Sequence, residues 1–168
     1  MNSYLQEVVD LHQLIEARFA RGEGSLEAMM EHFVPSFSMV SPAGLQFGLQ
    51  DVEQLFERNT GSQPGLSIEL RDLKTLHQWA DGAMVSYREI HRAEGKDETV
   101  RVSTALLVLE AGRVKWRHLH ETWAVECSRW LAIFAFLKGL GGSRMVAAAW
   151  SNPLRPVNRM GWVYPDNG

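Results

Sequence analysis

The spacing of hydrophobic residues is helical near the start of the chain and alternates further along it. Ser25 is placed to N-cap a second helix that buries Phe33 and is ended by Pro35. A third helix is predicted over residues 49–60. Ahead of the second and third helices, residues 3–21 form a predicted first amphipathic helix. Its apolar residues are Tyr4, Val8, Leu11, Ile15 and Phe19.

Strand-like runs dominate the chain after the third helix, and a shorter pair of runs precedes that helix. The shorter pair flanks a Pro-Ala-Gly turn in "SFSMVSPAGLQFG". Tight turns and one polar connection separate the four longer runs, at 66–78, 83–92, 99–110 and 113–123. Helices come first and a four-run meander comes last. This order predicts an α+β domain in which a curved antiparallel sheet wraps around the helices.

Composition and charge narrow the class of protein. A chain of 168 residues with 45% hydrophobic and 22% charged residues is typical of a soluble globular domain. Because the net charge is −3 and no run is rich in lysine or arginine, we expect no nucleic-acid or membrane partner. Cys127 is the only cysteine, which excludes an intrachain disulfide and favours a reducing, cytoplasmic compartment. Acidic residues within the N-terminal apolar stretch predict a helix rather than a signal peptide.

The chain changes character after Trp123, which predicts a domain over residues 1–123 and an extension over 124–168. The first part has 12 basic and 18 acidic side chains, whereas the extension has five and two. Three of the six tryptophans lie in the extension. A short apolar helix is predicted at 125–138, followed by irregular chain. Its "WLAIFAFL" run is too short to span a bilayer, and it is either a docking segment or an ending acquired separately.

The run "WRHLHETW" gathers unusual chemistry into the last predicted strand. Regular alternation would put its odd-numbered residues on one face: Arg117, Leu119, Glu121 and Trp123. The other face would then carry Trp116, His118, His120 and Thr122. An H-x-H pair on one face could ligate a metal, but the sequence nominates no third ligand, so we expect neither metal nor cofactor. The alternatives are histidines that line a pocket, and histidines satisfied within the structure or at a dimer interface.

Further candidates lie on the first helix and on two earlier strands. His12 falls on the apolar helix face, where it is either hydrogen-bonded to backbone or part of a site. Tyr87 and Glu89 share a strand face and could provide a hydrogen-bond donor and a base. Arg101 could clamp a ligand carboxylate or pair with Glu89 or Glu121 across strands.

Several segments, in this order, resemble the nuclear transport factor 2-like, or SnoaL-like, cone fold, and more narrowly its branch known as domain of unknown function 4440. They are "LHQLIEARFARGE", "HFVPSFSMVSPAG", "GSQPGL", "VSYREIH", "VRVSTALLVLE" and "WRHLHETW", and they span about residues 4–123. The ending is similar to the "W-x-x-V-H-x-H-x-S" close of the calcium/calmodulin-dependent kinase association domain. Thr122 and Ala124 depart from that pattern, as does Ser36, which stands where relatives often have aspartate.

The resemblance implies either a small-molecule site or an assembly module. Enzymes of the superfamily, such as ketosteroid isomerase and scytalone dehydratase, work with a carboxylate or histidine base inside the cone, opposite a donor. It therefore implies His120 with Glu89 or His12 as base and Tyr87 or Arg101 as donor. Such a domain would be a homodimer acting as a lyase, isomerase or hydrolase on a compact apolar substrate. His118 and Trp116 would line its pocket. The alternative is a non-catalytic association module that oligomerises through Arg117, Leu119, Glu121 and Trp123.

Overall fold

A computed structural model describes residues 2–124, which form three helices and six strands within that range. The predicted helix at 125–138 and the rest of the extension lie outside the described residues, so the division after Trp123 stays a prediction. No helix within 2–124 has the length and apolarity needed to cross a membrane. The elements are α1 Ser3–Arg21, α2 Leu26–Met30, β1 Phe33–Val40, β2 Gln46–Gly48, α3 Leu49–Arg58, β3 Ser67–Trp79, β4 Gly82–Arg92, β5 Thr99–Glu110 and β6 Arg113–Trp123.

The strands form one curved, unclosed sheet in the order β2-β1-β6-β5-β4-β3. Strands β3 to β6 are the predicted antiparallel meander, and the α+β cone is confirmed. Strand β1 adds a feature that the sequence did not predict, because it pairs with β6 in parallel. This pairing places β1 and β2 at the end of the sheet opposite β3.

Helix α1 occupies the concave side of the sheet, as its apolar stripe predicts. The Asn2 side chain accepts a hydrogen bond from the Leu5 amide at 2.9 Å, and Gly22 ends the helix with φ of 71°. Four of the five predicted stripe residues are buried, and Ile15 is half-buried. His12 is buried with them at 6% exposure. The helix therefore carries a polar ring into the space beneath the sheet.

The second helix is shorter than predicted. It ends at Met30, and both Phe33 and Pro35 belong to β1. Proline disfavours helical backbone at the preceding residue, Val34, and an extended chain can hydrogen-bond to β6 instead. The Phe33 ring then packs against Phe37 at 4.7 Å, because residues four apart share a face in a strand as they do in a helix.

A β-bulge interrupts β6 in the middle of "WRHLHETW". Leu107 of β5 pairs with Trp116, but its neighbour Leu106 pairs with His118, so Arg117 is an extra residue on β6. One extra residue exchanges the faces of everything that follows it. The prediction that Trp116 shares a face with the two histidines is therefore wrong.

Candidate functional site

Six buried polar side chains meet on the concave side of the sheet, facing α1. None is more than 6% exposed. Cross-strand pairing brings them together, since β4 aligns with β5 and β5 with β6 at these positions. We call them the inner polar cluster: His12, Tyr87, Glu89, Arg101, Ser103 and Glu121.

His12 and Glu89 form a buried ion pair. The His12 Nδ1 lies 2.6 Å from the Val8 carbonyl oxygen, so this nitrogen must carry a proton. Its Nε2 faces Glu89 Oε1 at 3.3 Å. Burial lowers the pKa of His12, but the charge and hydrogen bond of Glu89 outweigh that effect, and the pKa lies above its usual 6.5. His12 is therefore an imidazolium that donates through both nitrogens.

Glu89 is held as a carboxylate by several donors. Ser103 Oγ donates to its Oε1 at 3.0 Å, and His91 Nε2 lies 2.9 Å from its Oε2. Burial raises the pKa of Glu89, but His12 and the hydrogen bond from His91 reverse the effect and hold the pKa well below 4.5. The same burial lowers the pKa of His91, which therefore donates as a neutral ring. A carboxylate held in this way is a weak base.

Glu121 is the group of the cluster that titrates near neutrality. Its carboxyl is hydrogen-bonded to that of Glu89, and Arg101 Nη1 lies 3.3 Å from its Oε1. Burial, followed by the negative charge of Glu89, raises the pKa of Glu121 to about 7, although Arg101 opposes the shift. The hydrogen bond between the two carboxyls also favours the protonated form of Glu121.

Tyr87 supplies a buried hydroxyl to the same space. Its side chain is 1% exposed, and its ring packs edge-on to His12 with centroids 5.3 Å apart. Within residues 2–124 its hydroxyl has no hydrogen-bond partner by distance and angle. Burial, and then the charges of Glu89 and Glu121, raises the pKa of Tyr87 well above 10. The hydroxyl therefore keeps its proton and remains a donor.

The cluster approaches solvent at Trp123 and His91. The Trp123 ring faces the Arg101 guanidinium, with 5.5 Å between the guanidinium carbon and the ring centroid, and the residue is 38% exposed. The His91 side chain is 15% exposed. These two residues are partly exposed neighbours of the inner polar cluster.

A second set of polar contacts fixes Trp116. Glu7 Oε1 accepts from Trp116 Nε1 at 3.0 Å and from His32 Nδ1 at 2.7 Å. The hydrogen bond to Glu7 raises the pKa of His32 despite partial burial. Trp116 is 1% exposed and packs edge-on to Tyr87 at 6.5 Å. It thus forms a wall beside the inner polar cluster.

The structure brings together five of the seven candidate residues and separates the other two. His12, Tyr87, Glu89, Arg101 and Trp116 lie on the concave side. Of the two alternatives for Arg101, the cross-strand pair with Glu121 forms.

His118 and His120 lie on the opposite, convex face because of the bulge at Arg117. His118 Nδ1 is 2.9 Å from Ser38 Oγ, and His120 is exposed. The prediction that both face a pocket is wrong. No three histidine, cysteine, aspartate or glutamate side chains in residues 2–124 are arranged to hold a metal ion.

Sequence reasoning did not select Glu121, Ser103 or His91 for the site. Leu119 and Trp123 lie two residues before and two residues after Glu121. These three residues belong to the set of alternate positions that is the more apolar of the two in this part of the strand. The apolar residues on that set of positions indicate the buried face of the strand. The sequence prediction instead followed the two histidines on the other set, His118 and His120.

The sequence profile of the SnoaL-like domain matches residues 12–125 of this chain. The chain belongs to the SnoaL-like domain family. The described strands and helices account for almost all of the matched SnoaL-like segment. No curated protein matches this SnoaL-like chain.

Solved structures similar to this SnoaL-like domain have several descriptions. One is a nuclear transport factor 2-like protein of unknown function from Pseudomonas aeruginosa, with TM-score 0.71 and 34% identity, covering 74% of this chain and 100% of that one. The hub homology domain of calcium/calmodulin-dependent kinase II from Chlamydomonas reinhardtii matches with TM-score 0.61 and 18% identity, covering 73% and 97%. A candidate ketosteroid isomerase from Shewanella frigidimarina matches with TM-score 0.59 and 16% identity, covering 72% and 95%. The last two show the fold alone.

Proposed function

We propose that this SnoaL-like domain binds a compact, largely apolar small molecule and transfers a proton on it without a cofactor, as an isomerase or lyase. Glu121 is the acid–base group and Tyr87 is the hydrogen-bond donor. The observation that carries the proposal is a buried carboxyl with a pKa of about 7 in the same cluster as a buried hydroxyl that has no partner among the described residues.

A carboxyl with this pKa suits reversible proton transfer. At neutral pH about half of Glu121 is ionised, so one side chain can take a proton from one atom and return it to another. An ordinary glutamate, with its pKa near 4.5, would take a proton from a carbon acid far less readily. Glu121 therefore takes the role of base that the sequence suggested for His120.

The neighbours of Glu121 supply the other half of the chemistry. Proton removal next to a carbonyl leaves negative charge on its oxygen, which a nearby donor must stabilise. Tyr87 can donate to that oxygen, and the Arg101 guanidinium adds positive charge. Glu89 and His12 act on Glu121, since the fixed negative charge of Glu89 raises its pKa.

Solvent-deuterium exchange tests the proposal without knowledge of the natural substrate. Full-length protein is incubated in D₂O with enolisable ketones such as 2-indanone and 2-tetralone, and loss of the α-proton signal is followed by NMR. We expect Glu121→Gln to lower the exchange rate by about 10²-fold or more, and Tyr87→Phe to lower it by about 10²-fold. His120→Gln, a neighbour on the convex face, is the matched control and leaves the rate unchanged. Wild-type exchange at the buffer rate, or full exchange by Glu121→Gln, contradicts the proposal.

The second candidate is an association module, which the convex face of the sheet supports. Met84 is 40% exposed there and pairs across strands with Leu106, beside His118. This face would replace the interface suggested by the sequence, because Leu119 and Glu121 point to the concave side. Light scattering after size exclusion tests it: a homodimer or larger ring in the wild type that Met84→Glu dissociates is expected. A wild-type monomer refutes it. We also propose the narrower placement in domain of unknown function 4440 and a cytoplasmic location.

A further inference from the structure

We infer that Glu7 is a positioning residue of the proposed site: it holds the Trp116 indole against Tyr87, and it links that contact to the protonation state of the partly exposed His32. The inference deepens the proposed function by naming a regulation of the same site. It rests on that function only for the role of Tyr87 as the donor. Glu7 acts through Trp116 and not on the substrate.

The first support is one carboxylate oxygen that two side chains share. Glu7 Oε1 accepts from Trp116 Nε1 at 3.0 Å and from His32 Nδ1 at 2.7 Å. The indole nitrogen can only donate, and because Trp116 is 1% exposed, its acceptor has to lie inside the protein. A change in the charge that this oxygen presents therefore changes the hydrogen bond that fixes the indole.

The second support is that His32 is tied to Trp116 at two points. Its backbone carbonyl accepts from the Trp116 amide at 2.8 Å, and its ring reaches the indole through Glu7. The pairing of Phe33 with Trp116 between β1 and β6 adds a further tie between the two backbones. A change at the His32 ring therefore acts on the Trp116 side chain, while strand pairing holds its backbone.

Trp116 in turn borders two residues of the inner polar cluster. Its ring centroid lies 6.5 Å from that of Tyr87, in an edge-on arrangement, and 6.0 Å from that of His12. Close-packed side chains transmit small displacements, because there is no empty space to absorb them. A movement of the indole is therefore felt at the Tyr87 ring, and a displaced hydroxyl stabilises a developing oxyanion less well.

His32 is the member of this set that exchanges protons with solvent. Its side chain is 24% exposed, against 11% for Glu7, and histidine is the side chain that ordinarily titrates near neutrality. The carboxylates that act on it are Glu7 and Asp10 of α1 and Glu31 at the end of α2. Arg113 of β6 pairs with Glu31 at 3.3 Å. The hydrogen bond to Glu7, followed by the charges of the three carboxylates, raises the pKa of His32 above 6.5, although partial burial opposes the shift.

The two protonation states of His32 differ in how firmly the indole is held. As an imidazolium, His32 competes with the indole for the charge of the same oxygen. As a neutral ring it can still donate from Nδ1, but the charge of Glu7 then acts mainly on the indole N–H and strengthens that bond. Acid should therefore loosen the contact of Trp116 with Tyr87.

Heteronuclear NMR of the full-length chain tests this coupling. Signals of the Trp116 indole N–H, the Tyr87 ring and the His32 ring are assigned by their loss in Trp116→Phe, Tyr87→Phe and His32→Gln. All samples carry Glu121→Gln, which removes the other group that titrates near neutrality. Between pH 5 and 9 we expect the three signals to share one midpoint above 6.5, with the indole proton moving downfield as His32 loses its proton.

Two variants break the coupling at different points. Glu7→Gln keeps an acceptor for the indole but loses the charge, so the Trp116 and Tyr87 signals should stop moving with pH and the midpoint of His32 should fall towards 6.5. His32→Gln should abolish the same movements. The matched controls are Glu53→Gln, on an exposed part of α3, and the convex-face variant used for ketone exchange, and both should keep the titration unchanged.

Ketone exchange shows whether the site responds to His32. In proteins that retain Glu121, we expect wild type and His32→Gln to exchange 2-tetralone at equal rates at pH 9, and His32→Gln to be about threefold faster at pH 6. The titration of Glu121 is common to both proteins, so it cancels in the ratio of their rates. A rise in rate on substitution is not a result that damage to the fold would give.

Three results would overturn the inference. They are a Trp116 or Tyr87 signal that does not follow His32, an unchanged titration of these signals in Glu7→Gln, and equal exchange rates of wild type and His32→Gln at pH 6. Coupled NMR titrations in a protein that exchanges no ketone would support the coupling and refute the proposed catalysis alone. Ketone exchange that depends on Glu121 but not on His32 would refute this inference alone.

Discussion

Replacement of Glu121 by glutamine should stabilise the domain at alkaline pH. Its pKa is raised from 4.5 to about 7 in the folded state, so the folded chain binds more protons than the unfolded chain between these values. Stability therefore falls as the pH rises through that window. Each tenfold change in proton affinity corresponds to about 1.4 kcal/mol, so the complete loss is about 3 kcal/mol. Glutamine keeps a donor towards Glu89 and an acceptor towards Arg101, but it does not ionise.

Urea unfolding at pH 4.5 and 8.5 measures this effect. We expect the wild type to lose about 3 kcal/mol more unfolding free energy than Glu121→Gln between the two values. Both proteins keep the His12–Glu89 pair, whose own pH dependence is common to them. Glu110→Gln removes an exposed carboxyl from the neighbouring strand and should follow the wild type. Parallel pH profiles for wild type and Glu121→Gln would refute the argument that burial and Glu89 keep Glu121 protonated.

Two further substitutions test the packing and the turns. Gly82→Ala should destabilise by about 1–3 kcal/mol, since a Cβ there would lie 2.5 Å from the Trp79 ring and 2.7 Å from the Leu107 carbonyl oxygen; an unchanged urea midpoint would show that the ring moves freely. Ala111→Asn should stabilise by about 1 kcal/mol, because Ala111 has φ of 49° in a turn with Gly112 and asparagine tolerates that conformation better. A lower melting temperature for Ala111→Asn would contradict the turn argument.

Elements with strong local signals were predictable from the sequence. The α1 stripe and the four alternating runs of the meander lie within a few residues of the observed elements. The end of α2 was not predictable, because Met30 and Phe33 also fit a helical spacing. Whether Phe33 is helical or extended is decided by pairing with β6, which is remote in sequence. The parallel contact of β1 with β6 is likewise set by tertiary pairing.

Part of the site was predictable from the sequence, and the rest depends on strand pairing. Tyr87, Glu89 and Arg101 lie on strands β4 and β5, which pair without a register shift, so alternation alone places them correctly. Glu121 lies beyond the bulge, whose presence depends on how β6 pairs with its neighbours. The Arg117 guanidinium donates to the Ser36 carbonyl of β1, a contact that no local pattern encodes.

The bulge at Arg117 means that the chemistry of the concave surface depends on the pairing register as well as on residue type. Loss of the bulge with Arg117 retained would slide the rest of β6 by one residue along β5 and would turn the two convex histidines inward and Glu121 outward. Within this fold the presence or absence of one bulge therefore decides between a carboxyl interior and an imidazole interior, without any substitution. Comparison of relatives by residue number along this strand would then align side chains that face opposite ways, and only alignment by facing direction would match equivalent groups.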